Sequence, residues 1–69
     1  MKRKELKNLA KKIAQAELNR SNAKNEEERA SAERIIFGLT SRIHNMTDML
    51  MIDDYIQEEI AKLQQDKNS

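Results

Sequence analysis

The chain has 69 residues, enough for one domain; it has no cysteine and one histidine, which excludes disulfides, thiolate metal sites and a multi-histidine site within one chain. Charged residues make up 36% and apolar ones 38%, the aromatics are Phe37 and Tyr55 alone, proline is absent, and Gly38 is the one glycine. The net charge of +1 hides a gradient: residues 1–24 carry eight Lys/Arg against two Glu, residues 25–44 three against four, and residues 45–69 two against six.

Abundant Ala, Leu, Glu, Lys, Arg and Gln predict an all-α fold. No window approaches eighteen apolar residues, and no apolar stretch follows the basic start, so neither a membrane span nor a secretory signal is expected. A cytoplasmic protein is the expectation. A chain this short buries little of its surface and is marginal alone. Without disulfides or metal, self-association is the remaining support, and a dimer is favoured.

The first predicted helix covers about residues 2–20, with Leu6, Leu9, Ala10, Ile13 and Ala16 on one face. Ala14 and Leu18 widen that face. The stretch Asn19–Asn25, with three Asn and one Ser, favours caps and turns. Asn25 and Glu28 have the spacing of an N-cap and its N3 partner, which starts a second helix near Glu26 and ends it near residue 44. The alternative is one unbroken helix over 2–43 in a long two-helix hairpin. The second helix presents Ala32, Ile36, Leu39 and Ile43 on one side, with Ile35 and Phe37 on its flanks. Gly38 lies inside it, either permitting close helix approach or simply tolerated.

Asn45 reads as a left-handed C-cap and Thr47 as the N-cap of a third helix over about 48–65, with Met46 and Met51 in staple positions. This helix presents Met49, Ile52, Ile56, Ile60 and Leu63, pairs Glu58 with Lys62, and fades into a frayed tail over 66–69. The segment Met46–Leu63 is expected to be the packing centre. The fold expected is a small antiparallel three-helix bundle that self-associates.

No nucleotide-binding, phosphate-loop or zinc-protease motif occurs, so an enzyme is not expected, nor any cofactor or metal. His44, at a helix end, reads as structural. Asp53, Asp54, Glu58 and Glu59 make an acidic face that complements the basic first helix rather than a metal site. Lys2, Arg3, Lys4, Lys7, Lys11 and Lys12 are candidate anion or nucleic-acid contacts, although Glu5 interrupts them and no aromatic is interleaved for base stacking. Met51, Tyr55, Ile35 and Phe37 are candidate partner-surface residues.

The run LAKKIAQAE near the start and SRIHNMTDMLMIDDYIQEEI toward the end resemble small uncharacterised helical proteins of Gram-positive bacteria and their prophages. That resemblance implies a bacterial or phage accessory protein and transfers no catalytic residue. The expected function is a non-enzymatic interaction or structural module acting through copies of itself or a protein partner. The alternative is a nucleic-acid-associated accessory protein that uses the basic first helix.

Overall fold

The break in the first half of the chain is set by Asn25. Its side-chain oxygen accepts from the Glu28 backbone N–H at 2.9 Å, and the Glu28 carboxylate reaches back to accept from the Lys24 N–H at 2.9 Å. One orphan donor of the new helix's first turn is thereby satisfied, together with the N–H of the residue before the cap. The computed structural model describes residues 2–68, with side chains described through 65. Among them it has three helices: α1 over Arg3–Ser21, α2 over Glu26–Thr40 and α3 over Met46–Asn68. Asn22 closes α1, donating its N–H to the Leu18 carbonyl at 2.9 Å. The all-α bundle with a broken first half therefore forms, and the single helix over 2–43 does not.

α2 ends at Thr40, earlier than the expected residue 44. The Thr40 and Ser41 hydroxyls donate to the Phe37 and Gly38 carbonyls at 3.1 and 2.7 Å. Arg42 and Ile43 then make i→i−3 bonds to Leu39 and Thr40. Such back-bonding takes up the carbonyls that a continuing helix would use and tightens the last turn. Ile43 consequently lies in the connection.

The start of α3 also differs from expectation. Among the described residues none outside glycine has a positive φ, so Asn45 is not a left-handed cap. It is the N-cap of α3: its Oδ1 accepts from the Asp48 N–H at 2.7 Å, and its carbonyl accepts from the Met49 N–H at 3.1 Å. Thr47 is inside the helix, and Met46 is its first residue, 76% exposed, so Met46 and Met51 do not form a staple. At the far end the helix continues over 66–68, where the frayed tail was expected; no Gly or Pro stops it. Ser69 lies outside the described residues.

α1, and not Met46–Leu63, is the packing centre. Both other helices pack on α1, and among the described residues their own backbones do not approach one another closely. Leu6, Leu9, Ala10, Ile13 and Ala14 form one buried cluster with Ile52 and Ile56 of α3, and Ala16 of α1 and Ala32 of α2 are buried beside it. At 3.6 residues per turn the six α1 residues span about 160° of the α1 circumference, wide enough to seat two helices. The physical reason is side-chain size. Ala10 and Ala14 are completely buried because they let neighbours come close, while Leu6 and Ile13, also fully buried, fill the space between. Each of those two contributes on the order of 1.5–3 kcal/mol by leaving water.

Both outer helices run against α1. Ile13 and Glu17 share a cleft with Met49–Ile56, while Arg3–Lys11 share one with Tyr55–Lys62. On the other flank of α1, Leu9 and Lys12 lie beside Arg42, just past the end of α2. The extents are 34 × 30 × 14 Å. The shortest matches two layers of helices packed about 8–10 Å apart. α1 is one layer, and α2 and α3, straddling it, form the other.

Candidate interaction surfaces

The first surface is a cleft of ≈ 520 Å³ between α1 and α3. One wall carries Arg3, Lys4, Lys7 and Lys11; the other carries Tyr55, Glu58, Glu59 and Lys62. The i, i+4, i+8 spacing of Arg3, Lys7 and Lys11 puts these cations on one edge of α1. The Lys7 ammonium stands 5.6 Å from the centre of the Tyr55 ring, within cation–π range. The ion pairs that the structure describes are local ones, Glu17–Arg20 and Glu59–Lys62, each at 3.7 Å. Lys62 thus pairs with Glu59, not with Glu58 as its spacing had suggested. The basic helix and part of the acidic face are brought together here: Glu58 and Glu59 line the cleft, Asp53 lies on the other side of α3, and Asp54 is exposed. All six candidate anion contacts, including Lys2 and Lys12, are exposed.

The second surface is a groove of ≈ 230 Å³ between α2 and α3. Ile13 and Glu17 of α1 form its floor. Ile36, Thr40 and Ile43 line one side, and Met49, Ile52, Asp53 and Ile56 the other. The groove is open because α2 and α3 splay apart over α1. Met49 was expected in the core, yet it is 57% exposed, since no α2 side chain covers it. Met46, Met49, Leu50 and Asp53 fall at i, i+3, i+4 and i+7, one face of α3, so Met46 and Leu50 extend this wall outward. Leu50 is 68% exposed. On α2, Phe37 lies one turn before Thr40 and is 78% exposed. Of the five exposed large apolar side chains, Met49 lines this groove, while Met46, Leu50 and Phe37 are exposed on the two helices that form it. The fifth, Ile35, sits nearly opposite Phe37 around α2.

The four expected partner-surface residues are not brought together. Phe37 and Ile35 lie nearly opposite one another around α2, both exposed. Met51 and Tyr55 are half-buried and pack against the core, so they make no exposed patch. Sequence reasoning missed Met46, Met49 and Leu50 as surface residues. The available signal was the unbroken apolar run Met49–Ile52, more than one buried face can absorb.

His44 is exposed in the α2–α3 connection. Among the described residues no three His, Cys, Asp or Glu side chains gather to hold a metal ion, and no helix is long and apolar enough to cross a membrane. No family model, curated protein or solved structure matches the chain.

Proposed function

We propose that the protein is a non-enzymatic interaction module that binds a protein surface through the α2/α3 groove. The observation that carries this reading is the groove floored by Ile13 and walled by Ile36 and Met49, with Phe37, Met46 and Leu50 exposed on the two helices that form it. Contiguous exposed apolar surface with a polar rim marks a binding site. Here Glu17 and Asp53 supply charge at the groove while its interior is Ile and Met. The methionines suit a surface that adapts to its partner. The resemblance of LAKKIAQAE and DMLMIDDYIQ to small Gram-positive and prophage proteins supports a bacterial cytoplasmic accessory role.

The test is a photo-crosslinking residue placed at Thr40, on the groove wall, with Gln15 on the exposed outer face of α1 as control, in the cells that make the protein. Covalent adducts from Thr40 and not from Gln15 are expected. If neither position yields an adduct with another protein or with the chain itself, the reading fails.

A second reading, contact with nucleic acid through α1, is favoured by the convergence of Arg3, Lys4, Lys7 and Lys11 on one cleft. Glu58 and Glu59 in the same cleft weaken it by repelling phosphates. Binding through these cations would fall steeply with added salt; the absence of binding at low salt removes this reading.

A further inference from the structure

We propose that the cleft between α1 and α3 is a binding site for a nucleoside polyphosphate. The proposal is separate from the interaction-module reading, because this cleft and the α2/α3 groove share no lining residue.

Charge points to phosphate. Two carboxylates, Glu58 and Glu59, line the cleft, and Glu59 is taken up by Lys62 at 3.7 Å. That leaves four cations on the α1 wall, Arg3, Lys4, Lys7 and Lys11, facing one carboxylate, an excess of three positive charges. None of the four is in an ion pair that the structure describes. A concave wall with one sign of charge concentrates ligands of the other sign. A chain of phosphates is an anion compact enough to neutralise several such cations at once.

Spacing points to more than one phosphate. Arg3, Lys7 and Lys11 follow one another along α1 at steps of about 6 Å, a row rather than a ring. A row suits a linear polyphosphate better than a single phosphate or a carboxylate. The middle cation, Lys7, is held 5.6 Å from the centre of the Tyr55 ring, and that ring packs against the core. The row is thus partly ordered before a ligand arrives, which lowers the entropic cost of binding.

The opposite wall points to the nucleoside. At ≈ 520 Å³ the cleft falls within the roughly 300–1,000 Å³ of small-ligand sites, so it has room beyond the phosphates. Tyr55 offers an aromatic side chain against which a base can lie. Glu58 offers a carboxylate that can only accept hydrogen bonds, which suits ribose hydroxyls or a base amino group. In a nucleic-acid strand every nucleotide brings a phosphate, and Glu58 would repel it. A single nucleotide carries all its charge at one end and can keep that end on α1.

Calorimetric titration of the full chain with ATP, at low ionic strength and without divalent metal, tests the proposal. One-to-one binding is expected, weakening as salt is added. Arg3→Gln and Lys7→Gln should each weaken it by about tenfold, as loss of a charged hydrogen-bond partner does. Lys12→Gln, on the other flank of α1, should leave it unchanged. All three side chains are exposed, so the helical circular dichroism should not change. Tripolyphosphate, which has the charge and no nucleoside, should bind about tenfold more weakly than ATP. Glu58→Ala should narrow that gap. No binding of ATP at millimolar concentration overturns the proposal, and so does a Lys12→Gln loss as large as that of Lys7→Gln. Tripolyphosphate matching ATP overturns the nucleoside. A single-stranded oligonucleotide that binds more tightly than ATP, and is weakened by Arg3→Gln and Lys7→Gln, overturns the small ligand in favour of nucleic acid. Each of these outcomes leaves the α2/α3 groove reading untouched.

Discussion

Asn45 and Asp48 exchange two hydrogen bonds. The Asp48 backbone N–H donates to Asn45 Oδ1 at 2.7 Å, and Asn45 Nδ2 donates to the Asp48 carboxylate at 2.9 Å. Asp48 is buried, at 8% exposure, so this pairing starts α3 and also satisfies a carboxylate within the fold. Asn25 and Glu28 begin α2 with the same N-cap to N3 spacing. The two outer helices thus start from matching devices at either end of short connections.

Removing these caps should cost stability at Asn45 and Asn25 but not at Thr47. Asn45→Ala and Asn25→Ala are each expected to cost about 1 kcal/mol. For a domain of this size that lowers Tm by about 4–8 °C. Thr47→Ala, inside the helix with an exposed side chain, should stay within about 0.5 kcal/mol. Thermal melts followed by circular dichroism, at one protein concentration, decide it. A Thr47→Ala loss equal to that of Asn45→Ala would return the cap to Thr47.

The centrality of α1 predicts where the core is fragile. Ile13→Ala, at a fully buried site beneath the groove between both outer helices, should cost about 2–5 kcal/mol and leave a chain this small largely unfolded. Ile13→Val, expected to cost about 0.5–1.5 kcal/mol, keeps the effect measurable. Ala14→Leu, at another fully buried position, should cost about 1–3 kcal/mol by forcing the helices apart. Urea unfolding gives all three. If α3 were the centre instead, Ala14→Leu would be tolerated.

How much of this was legible in the sequence depended on whether one helix or several decided the outcome. The α1 face from Leu6 to Ala16 repeats at helical spacing, and its burial follows from that period alone. Asn25 was legible because only one capping arrangement fits NRSNAKNEEE. At the other connection Asn45 and Thr47 both fit, and the choice was made by the hydroxyls of Thr40 and Ser41, which end α2 early. That α1 is the hub is hidden because bulky side chains mark a core in sequence more plainly than small ones do. α1 is poor in large side chains, and Ala10 and Ala14 earn their place by letting two helices approach. Met49 has the right period for burial but is left uncovered by the splay of α2, a tertiary fact with no local signature. The groove, made of three helices, was illegible for the same reason.

Gly38 resolves in favour of a merely tolerated glycine. A Cβ built there meets nothing within 4 Å, and its φ is not positive. It therefore permits no close approach within the chain and needs no special backbone conformation. Gly38→Ala should stabilise the protein by about 0.5–1 kcal/mol, through helix propensity and a less flexible unfolded chain. Gly38 lies on the side of α2 away from Ile36 and Thr40, so the groove should not change. A destabilised Gly38→Ala protein would mean that another chain packs against that side of α2.

Lys7 and Tyr55 give the α1/α3 cleft its one described contact between the two helices' polar edges. Tyr55 is half-buried against the core, so packing fixes its ring, whereas Lys7 is exposed and free to choose between the ring and the carboxylates of Glu58 and Glu59 nearby. The 5.6 Å approach says the ring holds the ammonium. A double-mutant cycle on Lys7→Met and Tyr55→Leu should return a coupling of about 0.5–1 kcal/mol, the range for such contacts near a surface. Tyr55→Phe keeps the π face and should retain the coupling. Denaturant unfolding of the four proteins measures it. A zero coupling to Tyr55, with a measurable one between Lys7 and Glu58, would make the cleft an ion-pair network and the aromatic contact incidental.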